Sequence, residues 1–293
     1  MAKAHFLYPH VADQDIFRES LAYSEAEKGF TSTLIEKDYY CSLVLQYFFK
    51  DETPLVFKGG TCLSKVHADF YRLSEDLDFI IPVAADTTRA QRRAGIEPVK
   101  RLFKKLPGAI PGVTITEPFR GHNESRQYIG CLQYPSAIVE KMEKIRIEVG
   151  LREALFIPSE SKMAKPIAVN PFSGQPLLHD ITVRAMALQE AYAEKARAAL
   201  TRKEPAIRDF FDLFYAGRII KLNFLDPDFL ELVKAKINVP GNDPIDVSSG
   251  RRQELDQQLE GRLRPVLRHK DYDRFNLEEA FELACKIAGA LSL

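Results

Sequence analysis

Residues 55–81 read LVFKGGTCLSKVHADFYRLSEDLDFII, and they decide how the rest of the chain is interpreted. Leu55, Val56 and Phe57 form a short apolar, partly β-branched run that ends at Gly59-Gly60, which predicts a strand and a tight turn. Beyond the glycines, Leu63, Val66 and Phe70 recur at helical spacing and predict a helix over residues 61–71. A second apolar run follows at 77–81, and Asp76 and Asp78, two positions apart, share one face of any strand they occupy. Adjacent glycines let a polyphosphate approach backbone N–H groups closely, a helix N-terminus favours negative charge, and paired carboxylates offer hard oxygen ligands to Mg²⁺. Strand, glycine turn, helix and carboxylate strand, in that order, therefore suit phosphoryl or nucleotidyl transfer. Each part alone also has a plainer reading, Gly-Gly as a turn and Asp-x-Asp as a solvated strand edge. Their combination, about 16 residues apart, is what points to chemistry.

Composition bounds this reading. The 293 residues leave room for one large or two ordinary domains, and 45% hydrophobic with 28% charged residues is the make-up of a soluble globular protein. Lys+Arg and Asp+Glu number 41 each, so any affinity for nucleic acid has to come from local patches. Cys41, Cys62, Cys131 and Cys285 are scattered without a C-x-x-C or a nearby His, which argues for a reducing cytoplasm and against structural zinc. The first ten residues, MAKAHFLYPH, hold one Lys and no apolar core, and no run of about 18 apolar residues occurs; neither secretion nor a membrane span is expected. The six His have no metal spacing, and G-x-S-x-G, Walker A and dinucleotide fingerprints are missing.

Along the chain, Phe17, Leu21 and Ser24 mark a helix ending near Gly29, and Leu34, Ile35, Tyr39, Leu43, Val44, Tyr47 and Phe48 mark a second. Glu36, Lys37 and Asp38 interrupt the second as a charged turn on its exposed face. Arg89–Lys105 carries seven cations against Glu97, with Ile96, Val99, Phe103 and Leu106 as its apolar stripe. It is either a solvated face or a surface for phosphate backbone, the latter because it follows the carboxylate strand directly. Strands are expected at 113–116 and 128–134 around a loop at Gly121-His122-Asn123. Another is expected over 144–151, where Ile145, Ile147 and Val149 alternate with Arg146 and Glu148. Residues 158–176, rich in Pro, Ser and Lys, look like a connection between domains. A helix follows over 187–200; Lys195 on it could reach outer phosphates, and Asp209 and Asp212 share a later helical face, although a surface Lys and an acidic first turn explain them equally. Asp226-Pro227-Asp228 caps a helix through Lys236, 251–275 reads as a charged helical surface or an RNA-facing patch, and 277–291 as an amphipathic helix.

Lys58-Gly59-Gly60-Thr61, Leu63-Ser64-Lys65 and Ser74-Glu75-Asp76-Leu77-Asp78, with Lys37-Asp38-Tyr39 before them, resemble the opening motifs of the AbiEii family of nucleotidyltransferase-like toxins, which includes the MenT proteins. Glu194-Lys195, Ala198, Arg202 and Arg208-Asp209-Phe210-Phe211-Asp212-Leu213 resemble its second block in order and spacing. The resemblance runs from about residue 37 to 213 and implies an α/β (α+β) fold of the polymerase-β nucleotidyltransferase type. In it a mixed sheet flanked by helices (1–165) precedes a largely helical C-terminal domain (166–293) that completes the nucleotide site.

The same resemblance implies roles. Asp76 and Asp78 would hold Mg²⁺ or Mn²⁺, with Glu148 as a third carboxylate that orients or deprotonates the attacking hydroxyl. Lys58, Gly59, Gly60, Thr61, Ser64, Lys65, Ser74 and Lys195 would line the nucleotide site, Lys65 and Lys195 would neutralise the triphosphate, and Lys195 and Asp212 would join the catalytic set. It implies a toxin of a bacterial toxin–antitoxin or phage-defence system, acting with a separate antitoxin and transferring a nucleotide from an NTP to an acceptor, by analogy the tRNA 3′ end. Two alternatives stand beside this: a nucleotide- or RNA-binding protein without transfer, and a transferase that modifies protein. Ser74 either caps its turn or is itself an acceptor of phosphate or nucleotide.

Overall fold

The protein is described by a computed structural model covering residues 8–291, so the reading of the first seven residues, His5 included, lies outside the described residues. The chain divides into two compact units: residues up to Leu151 with Ser161–Ala185, and Arg152–Glu160 with the residues from Met186 on. Having left the first unit at Leu151, the chain visits the second, returns to the first at Ser161 and leaves again at Ala185.

The first unit opens with α1 (Pro9–Ala12), α2 (Gln14–Lys28) and α3 (Ser32–Phe48). Asp13 caps α2 by accepting from the Asp15 and Ile16 N–H groups, and Gly29, at φ 75°, ends it in a left-handed turn. α3 is buried almost all round, which is why its apolar stripe reads so broadly. Glu36 and Asp38, expected in an exposed charged turn, are both buried in it. Glu36 accepts from Ser136 Oγ and the Ala137 N–H, which ties α3 to a hairpin turn. Burial raises its pKa, and those two hydrogen bonds counter only part of the rise.

β1 (Val56–Lys58) leads through the glycines into α4 (Gly59–Cys62), which continues without a break as a π-helical turn over Leu63–His67. The helix expected over 61–71 is thus displaced and shortened: it starts on the glycines and stops at His67. Asp69 and Phe70 then take left-handed φ values of 46° and 58° to reverse the chain. The remaining elements of this unit are β2 (Leu77–Ile80), α5 (Arg89–Lys105), β3 (Thr114–His122), β4 (Gln127–Pro135), β5 (Met142–Gly150), β6 (Glu160–Ala164) and β7 (Ile181–Ala185). α5 starts at a capping box between Thr88 and Gln91.

The seven strands form one mixed sheet in the order β3-β4-β5-β2-β1-β7-β6, the nucleotidyltransferase-like α/β arrangement expected from the motifs. β2 is antiparallel to β1 and parallel to β5. The segment read as an interdomain connection contributes edge strand β6, and Ala164, Ile167 and Ala168 are buried in the core of this unit. Its Pro and Ser content hid a short strand without the usual alternation.

One face of the sheet is apolar. Phe48 of α3 meets Phe79 edge to face, Tyr40 stacks on Tyr134, and Phe103 of α5 meets Phe119. A Cβ at Gly130 would lie 3.1 Å from the Phe103 ring, so that glycine lets α5 close against β4. α3 and α5 therefore cover the face carrying Tyr134, Phe79 and Gly130.

The second unit is largely helical: α6 (Leu188–Thr201), α7 (Ile207–Tyr215), α8 (Pro227–Ile237), α9 (Ser249–Asp256), α10 (His269–Tyr272) and α11 (Leu277–Leu291). Phe210 of α7 stacks on Phe281 of α11. Lys236, on α8, is buried with its ammonium 2.6 Å from Glu190, 3.0 Å from Glu153 and 3.5 Å from Glu194. Glu190 also accepts from the Phe156 and Ile157 N–H groups, fixing the 152–160 segment to α6. Arg251 is not part of an outward patch; it donates to the Ala199 and Arg202 carbonyls at the end of α6. Arg252, Arg264 and Arg268 pair with Glu278, Glu260 and Asp271. Most of 251–275 is thus the charged helical surface of the plainer reading. Among the described residues no helix is long and apolar enough to cross a membrane, and the four cysteines are free thiols.

Candidate active site

Strand register places the carboxylates. Lys58 on β1 is the partner of Asp78 on β2, Asp78 is the partner of Glu148 on β5, and Glu148 is the partner of Ile129 on β4. Cross-strand partners share a face, so Lys58, Asp78, Glu148 and Ile129 form a row across four strands, with Arg120 of β3 at its end. This face is opposite to the one covered by α3 and α5, and its residues are half-buried or exposed where the other face is buried. Neighbouring strands lie about 4.8 Å apart, which puts Asp78 and Glu148 side by side. Asp76 stands two residues before Asp78, just outside β2.

The glycine turn lies against these carboxylates. Gly59 has φ 75°, and a Cβ built on it would fall 2.3 Å from Asp78 Oδ2 and 2.8 Å from Asp78 Cβ. Only glycine allows both this backbone conformation and a carboxylate directly over its Cα. Gly60 has no such φ, but a Cβ there would meet Arg72 Nη2 at 2.5 Å and Ser74 Oγ at 3.1 Å. Asp78 and Ser74 are thus brought to consecutive glycines.

Three other side chains expected at a nucleotide are engaged internally. Thr61 Oγ1 donates to the Asp76 carbonyl and Ser64 Oγ donates to the Arg72 carbonyl at 2.6 Å, tying the first helical turns to the 72–76 segment. Lys65 is 1% exposed, and its ammonium lies 2.7 Å from each Asp38 oxygen. Asp38, read from the sequence as exposed, is the counter-charge of a buried pair joining α3 to the π-helical turn. Lys37, its neighbour, pairs with Glu75 at 3.2 Å and Glu143 at 3.9 Å.

Glu148 is 27% exposed, bound by Arg146 at 2.8 Å through one oxygen and by Gln127 at 2.6 Å through the other. Among the described residues no group of three or more His, Cys, Asp and Glu is arranged to hold a metal ion. Glu148, in register with Asp78, is engaged by Arg146 and Gln127. The Asp76–Asp78 pair remains a suitable donor set, since Mg²⁺ characteristically takes one or two carboxylates and completes its shell with substrate phosphates and water.

In the second unit Lys195 and Asp212 form an ion pair. The Lys195 ammonium lies 2.8 Å from Asp209 and 2.9 Å from Asp212, and Arg202 lies 3.1 Å from Asp209. Burial alone would raise the Asp209 pKa; Lys195 and Arg202 outweigh it and hold the carboxyl below its ordinary range. Lys195 is 13% exposed in side-chain terms, so it is a clamped cation at the surface of a helical pair. Sequence reading missed Arg72 and Gln127, which carry no motif signal from composition; it placed Arg146 on the face of Glu148 by alternation but gave it no role.

A mixed sheet with a glycine turn against a carboxylate strand, joined in sequence to a helical unit, defines a nucleotidyltransferase-like protein. A family model for the nucleotidyl transferase AbiEii toxin of type IV toxin–antitoxin systems matches residues 44–283, and the chain belongs to that family. Among solved structures it is similar to JHP933 from Helicobacter pylori, at 18% identity and TM-score 0.45 over 96% of this chain and 94% of that one. A second H. pylori protein, provisionally described as a nucleotidyltransferase, matches at 19% identity and TM-score 0.45 over 87% of this chain and 95% of the other. No curated protein matches the chain.

Proposed function

We propose that this toxin-family nucleotidyltransferase takes an NTP as donor, depends on Mg²⁺ or Mn²⁺, and transfers a nucleotide to an RNA acceptor, the tRNA 3′ end. The observation that carries the reading is the Asp78 carboxylate standing directly over Gly59, because it sets a metal-binding oxygen at the turn where a polyphosphate would lie. Asp76 and Asp78 would hold the metal, which when bound supplies positive charge against that developing on the transferred phosphoryl group.

The chain's own residues do the rest. Gly59, Gly60 and Thr61 present backbone to the phosphates, and Lys58, in register with Asp78, adds a cation at the same level of the sheet. Thr61 and Ser64 act through the 72–76 segment that they hold, and Lys65 through Asp38. With both oxygens bound by Arg146 and Gln127, Glu148 stays oriented on the carboxylate face and aligns the acceptor hydroxyl. On the family motif we assign Lys195, whose ammonium Asp209 and Asp212 hold, to the nucleotide-binding residues. The acceptor's phosphates meet the sheet face bearing Lys58, Arg120 and Arg146, since α5 covers the other. A separate antitoxin opposes the activity in the bacterial cytoplasm.

The test is to incubate the protein with each labelled NTP, Mg²⁺ and total RNA, and to look for label in RNA. Transfer of label from one NTP to tRNA supports the reading. Label on protein alone reassigns the acceptor, and tight NTP binding with no transfer to RNA or protein makes the protein a binding module.

A further inference from the structure

Arg72 is the bulkiest of the fully buried side chains among the described residues, 2% exposed, and no part of the reaction described above employs it. The position of this cation gives it a purpose. Its Nη2 lies 2.5 Å from where a Cβ on Gly60 would stand, with Ser74 Oγ 3.1 Å from the same point, so the guanidinium occupies the room that the missing side chain leaves. Nη1 donates to the Leu73 carbonyl at 3.2 Å, and the guanidinium carbon lies 5.6 Å from the Tyr71 ring centroid.

The chain pays in backbone strain to bring Arg72 there. Asp69 and Phe70 are consecutive non-glycine residues with left-handed φ, a rare and costly arrangement. Their surroundings over-determine the reversal. The Ala68 N–H donates to the Leu63 carbonyl at 2.8 Å and the Phe70 N–H to the Ser64 carbonyl at 3.0 Å, while Ser64 Oγ holds the Arg72 carbonyl at 2.6 Å. The π-helical turn and the strained reversal together deliver one permanently charged group to the second glycine.

We infer that Arg72 is a positioning residue of the phosphate cradle: its guanidinium, seated against Gly60 beside Ser74, is the fixed positive charge that keeps the glycine turn ready for a polyphosphate. This rests on the reading of Gly59-Gly60 as a phosphate site. A charge held in place in a poorly solvated site acts without reorganisation and favours an anion at the turn over water.

Gly60→Ala provides an independent probe, because the atom its Cβ would meet is the far end of a flexible side chain. It displaces the guanidinium without removing it. Calorimetric titration with inorganic triphosphate and with the four NTPs, in the presence of Mg²⁺, should be run on the wild type, Arg72→Lys, Arg72→Met and Gly60→Ala, with a nucleoside as control and melting curves alongside. Arg72→Met should weaken binding of triphosphate and of the bound NTP by at least about tenfold, Arg72→Lys should recover most of that loss, and Gly60→Ala should weaken binding while melting near the wild type. Nucleoside binding should not change. Wild-type affinity for triphosphate in Arg72→Met, or in Gly60→Ala should the former not fold, makes Arg72 a core filler and overturns the inference; so does an Arg72→Lys variant no better than Arg72→Met. A wild type that binds neither NTP nor triphosphate overturns the phosphate-cradle reading itself.

Discussion

Gly59 shows how one residue can serve backbone and chemistry together. Its φ of 75° and the Asp78 oxygen 2.3 Å from a would-be Cβ leave no room for alanine. Gly59→Ala should cost about 1–2 kcal/mol from the left-handed backbone alone, read as a lower urea midpoint, and should also abolish transfer because Asp78 has to move. Unchanged transfer in a folded Gly59→Ala protein would detach Asp78 from the site. Lys65 marks the limit of reading residues singly. Its motif suggested a hand on the phosphate, whereas the structure spends its charge on Asp38, 27 positions earlier. Lys65→Met leaves a buried carboxylate uncompensated and should destabilise the first unit by about 3–5 kcal/mol, measured by chemical denaturation. A loss below about 1 kcal/mol would show the pair to be solvated after all.

At the scale of elements, the carboxylate strands were legible because side-chain alternation is local. Asp76 and Asp78 needed only a period of two, and the same parity places Glu148 beside Asp78 once the register is known. What covers each face was not legible, since it depends on where distant elements close. The basic helix α5 follows the carboxylate strand in sequence but lies against Phe119 and Gly130, on the other side of the sheet. One of its cations, Arg92, is buried and donates to the Thr87 and Glu124 carbonyls. Replacing Arg93, Lys100 and Arg101 by Gln should therefore leave the salt dependence of RNA modification unchanged. Replacing Arg120 and Lys58 should flatten it by roughly one unit of slope per lost phosphate contact. The reverse result would move the acceptor to α5. Segment 158–176 was misread for a related reason: β6 is an edge strand, and its residues lack the two-faced pattern that marks a strand in sequence.

At the scale of the whole molecule, buried charge clusters set the response to pH. Asp209 has a folded pKa below its unfolded value, so its contribution to stability is complete above about pH 4 and is lost as pH falls through the folded value. Thermal melts should fall more steeply below pH 4 in the wild type than in an Asp209→Asn variant; parallel curves would contradict the pairing with Lys195 and Arg202. Lys236 works in the opposite sense. Burial lowers its pKa, but Glu194, Glu153 and Glu190 more than reverse this, so its contribution is present below about pH 10 and is lost as pH rises through the raised value. The Lys236 cluster had no local signal, because its partners come from the 152–160 segment and α6. On the proposed reading, nucleotide is transferred at Asp78, over Gly59. The most direct test is the single-turnover rate of nucleotide transfer by Asp78→Asn against wild type, with circular dichroism to confirm the fold. The expected result is a loss of at least about 10³-fold, several kcal/mol of transition-state stabilisation. A correctly folded Asp78→Asn protein that transfers nucleotide at the wild-type rate would contradict it.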